Sequence, residues 1–157
     1  MFKWFKSLFK GRQPAGPPQT IRAFHTSDAP IAKERLMVDQ DGWLVDSRGD
    51  QTVSLFEVPS DGAEQCMLTF KAKMKTDSLQ GRAFLEMWCR VPGLGEFFSK
   101  GLNKAVRATT DWALYEIPFF LEKGQKADLI KLNLVVQGIG KTWIKDVELL
   151  KTPLKAP

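Results

Sequence analysis

From residue 34 onward, short stretches rich in branched and aromatic residues alternate with turn signals such as Asp41-Gly42, Arg48-Gly49-Asp50, Pro59-Ser60-Asp61-Gly62 and Gly138-Ile139-Gly140. That rhythm predicts an all-β domain. The expected strands are 34–39, 42–47, 51–58, 65–75, 81–91, 103–108, 112–121, 129–137 and 141–150, about eight strands in two antiparallel sheets, with no helix of useful length between them. Alternation assigns the faces of three of them. Cys66, Leu68, Phe70, Ala72 and Met74 share one side of the first, and Ala83, Leu85, Met87, Cys89 and Val91 one side of the second. Ile130, Leu132, Leu134 and Val136 do the same in 129–137. These sides are the expected core, together with Trp112, Tyr115, Phe119 and Val147.

The first ten residues, MFKWFKSLFK, follow a different period. At helical spacing Phe2, Trp4, Phe5, Leu8 and Phe9 gather on one side, and Lys3, Lys6 and Lys10 on the other. Aromatic rings opposite lysines suit the headgroup layer of an anionic bilayer, so these eight residues are the expected membrane-binding set. The segment is too short to span a bilayer. Charges interrupt every apolar pair, which does not fit a secretory signal, so a cytoplasmic protein, peripheral at a membrane, is expected. A frayed end, or a helix docked on its own domain, is the other reading. Residues 11–20, with three prolines and two glycines, read as a linker. The expected organisation is a tail over 1–12, a linker and lead-in over 13–33, the sandwich over 34–150, and a C-terminal tail over 151–157.

Charge narrows the class of partner. The net charge is +5, but Lys3, Lys6, Lys10 and Arg12 supply four of the 23 basic groups, leaving 19 against 18 acids in the rest of the chain. A nucleic-acid binder needs a basic stripe on its folded surface, and this near-neutral body predicts none. A milder polarity remains, with an acid-rich stretch over 28–64 and a base-rich one over 71–107. It reads as complementarity within the molecule, or as a groove. One histidine and two cysteines are too few for a structural zinc site.

Catalytic chemistry has little to build on. His25 is the sole histidine, and no G-x-S-x-G elbow, phosphate loop or dinucleotide fingerprint is present. Glu86 and Glu116 are the one carboxylate pair to consider for glycoside hydrolysis. A non-enzyme is expected. Trp88 stands out instead, because it shares a strand side with Arg82, Glu86 and Arg90. An aromatic ring among polar groups suits the apolar face of a sugar, with Asn133 and Gln137 on another strand as further hydroxyl partners. The alternative is a Trp88 covered by a loop or by the tail. In Pro92–Gly101, Phe97 and Phe98 are either exposed for recognition or, if 96–99 is a strand, one of them is buried and Ser99 and Lys100 form its rim.

The runs LTFKAKMKT, RAFLEMWCRV and TTDWALYEIPFFLEKGQKADLIKLNLVVQGIGKTWIKDVELL form one ordered pattern, in which Trp112, Tyr115, Phe119, Gly138, Trp143, Asp146, Val147 and Leu149 recur in sequence. It resembles the galactose-binding-like β-sandwich superfamily, including jelly-roll carbohydrate-binding modules, over roughly residues 34–150. The resemblance implies a two-sheet antiparallel jelly roll and a non-catalytic binding module, with carbohydrate or another protein as partner. It implies no organic cofactor. In several such families a carboxylate in the last strand helps to hold a structural calcium; here Asp146 is that acid, and Lys145 stands where a second acid is common.

Cys66 and Cys89 both fall on core sides. Two geometries are open: a hairpin that makes them neighbours, or strands in different sheets that set them on opposite walls of one core. Buried, unreactive thiols are expected either way, with a disulfide as the alternative.

Overall fold

The computed structural model describes residues 11–156. Eight strands follow one another along the chain: β1 (Gln19–Phe24), β2 (Met37–Asp39), β3 (Gly42–Arg48), β4 (Gln51–Ala63), β5 (Cys66–Val91), β6 (Gly95–Lys100), β7 (Val106–Leu121) and β8 (Ala127–Pro153). Two 3-10 turns, Lys33–Arg35 and Leu102–Lys104, are the only helical pieces among the described residues. All pairings are antiparallel.

The frame is a single ladder between β5 and β8, running from Cys66 opposite Pro153 to Arg90 opposite Leu129. It doubles over at its middle, where Gly81 faces Gly138. The free edge of β8 takes β4, then β3, then β1; the free edge of β5 takes β7 on one arm and β6 on the other. We call the arm holding 66–77 and 141–153 the first and that holding 80–91 and 129–139 the second. Inner side chains of both arms form one core: Phe70, Ala72, Met74, Val147 and Leu149 from the first, Leu85, Met87, Cys89, Ile130, Leu132 and Leu134 from the second. Each large apolar side chain buried there contributes about 1.5–3 kcal/mol.

Both alternations in β5 hold, with even residues inward before the bend and odd ones after it. The switch needs one extra residue, and the register supplies it between Asp77 and Gln80. Sequence segments 65–75 and 81–91 are therefore two arms of one strand, as are 129–137 and 141–150. The expected 103–108 strand begins only at Val106, and of 34–39 only 37–39 is extended.

The linker and the C-terminal tail require correction. Within 13–33, β1 pairs with 147–151 of β8, Pro14 bridges Leu154, and the Ala15 N–H donates to the Pro153 carbonyl at 2.7 Å. β1 is an edge strand with one buried residue, Phe24, which stacks on Phe56 at 3.8 Å between centroids, while Ile21 packs half-buried against the core. At the other end, β8 runs past residue 150, and Leu154 packs on Met67 and Phe120. The expected tail helix over 1–10 lies outside the described residues, apart from which the sandwich spans about 14–154.

The core assignment also changes. Leu132, Leu134 and Val147 are fully buried, whereas Tyr115 and Phe119 only line the rim of the core. Trp112 lies outside it, under the ammonium groups of Lys145 (4.2 Å) and Lys75 (5.8 Å). The reason is parity. Trp112 and Tyr115 are three positions apart, and on a strand an odd spacing puts two side chains on opposite faces.

Cys66 pairs with Leu121 and Pro153, and Cys89 with Phe97 and Ile130, so the hairpin geometry is excluded and the two stand on different arms. Both are free and buried. Burial pushes the Cys66 thiol up to about 11; it pushes Cys89 up to about 12, with nearby Cys66 adding to the rise. At pH 8 neither carries thiolate, so a thiol reagent should find no reactive cysteine in the native protein and two after denaturation without reductant.

At the bend, a β-carbon on Gly81 would stand 1.9 Å from the Gln137 carbonyl oxygen, and one on Gly138 would stand 1.9 Å from that of Gln80. Their φ angles, 131° and 128°, exclude other residues independently. Replacing either by alanine is expected to destabilise the protein by about 3 kcal/mol or more in urea unfolding, whereas Gly49→Ala, which meets nothing within 4 Å, should change stability by less than about 1 kcal/mol.

Candidate functional site

The six residues singled out as ligand contacts lie together on the outer face of the second arm. Cross-strand pairing sets them in rows: Arg82 beside Gln137, Glu86 beside Asn133, Trp88 beside Lys131, and Arg90 beside Leu129. Between the first two rows Phe84 pairs with Val135, and both are buried although they point away from the core. β6 widens the face, placing Lys100 next to Glu86, Phe98 next to Trp88 and Glu96 next to Arg90.

Most polar groups here already have partners. The Arg82 Nε donates to Gln137 Oε1 at 2.6 Å, and Asn133 Nδ2 donates to Glu86 Oε1 at 2.9 Å. Lys100 Nζ stands 3.6 Å from the other oxygen of Glu86, and Lys131 Nζ 2.9 Å from Glu96. Arg90 makes two bonds to Asp128, at 2.8 and 3.1 Å, and its guanidinium holds the Asp128 carboxyl below its usual range. Charges thus largely cancel across the face. What remains free is aromatic: Trp88 is half-buried, and its ring lies 5.1 Å from that of Phe98 at 55°. Phe98 is 54% exposed.

The outcome for Phe97 and Phe98 differs from both expectations in one respect. Residues 95–100 do form a strand, yet neither ring is buried, with Phe97 45% exposed. β6 ends the sheet, so the inner side of Phe97 finds only partial cover. Phe98 and Lys131 beside Trp88, and Glu96 and Asp128 beside Arg90, were not foreseen from the sequence. The signal was present for Phe98: the turn after Val91 pairs Val91 with Gly95, and counting three residues back and three forward pairs Trp88 with Phe98.

The remaining candidates separate. Glu86 and Glu116 stand on opposite outer faces of the sandwich and make no catalytic pair, since Glu116 lies opposite Lys71 on the first arm. Burial holds the Glu116 carboxyl above its usual range, with Lys71 opposing the shift. His25 is exposed, beside a cavity of about 270 Å³ that also involves Lys71, Lys73, Asp146 and Glu148. Asp146 is the extra residue of a β-bulge: β8 takes three steps from Lys145 to Glu148 where β5 takes two from Lys73 to Lys71, and Asp146 absorbs the difference at φ 52°. Its carboxylate is exposed and 3.5 Å from Lys73. Calcium requires six to eight oxygen ligands. Among the described residues no group of three acidic, histidine or cysteine side chains comes together.

No protein-family profile matches the chain, and no curated protein matches it by sequence. Solved structures do. A particle of infectious bursal virus aligns at 14% identity with a TM-score of 0.54, over 87% of this chain and 32% of the viral one. The CBM22-1 and GH10 modules of a Clostridium thermocellum endo-1,4-beta-D-xylanase, complexed with xylohexaose, align at 11% identity with a TM-score of 0.52, over 89% of this chain and 26% of that one. A family 16 carbohydrate-binding module aligns at 11% identity with a TM-score of 0.48, over 74% of this chain and 80% of the module. The chain spans about a third or less of the first two, and the fold it shares with them is a jelly-roll β-sandwich.

Proposed function

We propose that this protein is a non-catalytic carbohydrate-binding module whose ligand lies across the outer face of the second arm. The supporting observation is the Trp88–Phe98 platform set among polar pairs that already satisfy one another. A face whose charges are internally matched offers little to an ion. It offers aromatic surface to the C–H side of a sugar and amide or guanidinium edges to its hydroxyls, so the reading favours an extended neutral saccharide. Arg82, Glu86, Arg90, Asn133 and Gln137 are the polar contacts in this reading.

Affinity electrophoresis against soluble neutral polysaccharides, followed by calorimetry on the best oligosaccharide, tests it. Trp88→Ala should weaken binding at least about tenfold, about 1.4 kcal/mol, while Trp112→Ala on the opposite face leaves it unchanged. Equal losses from both, or no saccharide bound at all, would count against the proposal. One observation favours a second reading, an assembly factor that uses the same sandwich on another protein: Leu94, Phe97, Phe98 and Leu102 are all exposed at one edge.

Residues 1–10 enter the proposal from sequence alone, as a tether to an anionic membrane surface for a cytoplasmic protein. Each lysine near such a surface contributes about 1 kcal/mol, so attachment would be reversible. The full chain should cosediment with phosphatidylserine vesicles, and replacing Lys3, Lys6 and Lys10 by glutamate should abolish this. Cosedimentation unchanged by those substitutions would remove the tether.

A further inference from the structure

β6 is the last strand of the second arm, and among the described residues its only strand partner is β5. Five of its six residues are exposed. A free edge of this kind, with two phenylalanines at its centre, is a template for pairing.

The phase of that edge follows from one bond. Gly101 N–H donates to the Leu85 carbonyl at 2.9 Å, and in an antiparallel pair such positions recur at every second residue. Ser99, Phe97 and Gly95 therefore turn their backbone groups toward β5. Glu96, Phe98 and Lys100 turn theirs outward. These three, evenly spaced, read acid, aromatic, base.

We infer that β6 pairs with β6 of a second copy of this chain, antiparallel, about a two-fold axis at Phe98. In that register Phe98 faces Phe98 of the second copy and Glu96 faces Lys100 at both ends, each facing pair exchanging its outward backbone hydrogen bonds. A slip of one residue sets outward groups against inward ones. A slip of two sets Phe98 against a charged residue and leaves no Glu96–Lys100 pair. The two-fold arrangement uses up the edge in both copies, so association stops at a dimer. A single edge is a small interface, which makes the dimer concentration-dependent. It also makes one row of Trp88, Phe98, Phe98 and Trp88 across the two copies, about 14 Å between the outer rings at ordinary strand spacing. The dimer follows from β6 itself and stands whether or not the face binds sugar.

Sedimentation velocity of the full chain, without saccharide, from about 10 µM to about 1 mM should show a monomer passing to a dimer. E96K and K100E should each raise the midpoint concentration at least about tenfold, and the double variant E96K/K100E should restore it. As a test of register that does not depend on charge, F98C should form an interchain disulfide under mild oxidation, whereas S99C, facing Phe97, should not. A monomer at every concentration, a dimer indifferent to both charge reversals, or a disulfide in S99C as readily as in F98C would overturn the inference. So would a dimer that appears only after residues 1–10 are removed, since the edge would then be covered by the chain itself.

Discussion

Everything in this molecule depends on two backbones passing each other without side chains at Gly81 and Gly138. The β5–β8 ladder is continuous through that crossing, so the two layers of the sandwich are not separate sheets brought together by a core. They are one sheet folded on itself. The close approach allows the bend, and the extra residue between Asp77 and Gln80 reverses which parity points inward. Without that reversal, the 82–91 segment would present Arg82, Glu86 and Arg90 to the core. Other left-handed positions cluster at the same place: Ser78 at φ 54°, Ala108 at 58° and Gly140 at 143°. The Ser78 N–H donates to Thr109 Oγ1, and Ser47 Oγ bonds to the carbonyl of Gly138, so side chains from neighbouring strands brace the bend.

The bend creates two outer faces of different character. On the first arm, one end is covered by Leu154 packing on Met67 and Phe120, and the Trp112 ring is occupied by two lysines. Trp143, 6% exposed, donates its Nε1–H to Asp39 at 2.7 Å and lies beneath Lys75. Its aromatic groups are already engaged. On the second arm the charged groups are engaged, with each other, and the aromatic pair is left open. A surface of that kind is inexpensive to desolvate, because polar groups bonded within the protein keep their partners when a ligand displaces water.

The fold was legible because alternation in 65–75, 82–91 and 129–137 is a local property, and it assigned every inner residue of those segments correctly. Likewise the six site residues were found on one face because parity within a strand is local too. What could not be read was anything that depends on pairing between distant segments. The expected strands break over 76–80 and 138–140, beside or at glycines that normally end a strand; here glycine lets each strand continue through a bend. β1 reads as linker because the prolines just before it, Pro14, Pro17 and Pro18, and its own polar residues give no sign that Phe24 reaches Phe56. Trp112 was misplaced for another reason. The family-like pattern Trp-x-x-Tyr was read as two core residues, although an odd spacing contradicts that on a strand.

β6 shows how the face and the edge are linked. In an antiparallel pair, the residues whose backbone groups point to one neighbour are those whose side chains share one face. Glu96, Phe98 and Lys100 thus carry both the free backbone edge and the outer-face side chains. Glu96 and Lys100 lie within ion-pair distance of Lys131 and Glu86, while Phe98 extends Trp88 to the border of the sheet. The aromatic platform consequently does not stop inside the face, as it would if it were centred on β5 and β8. It stops at an edge, where the next strand laid down decides how long the platform is.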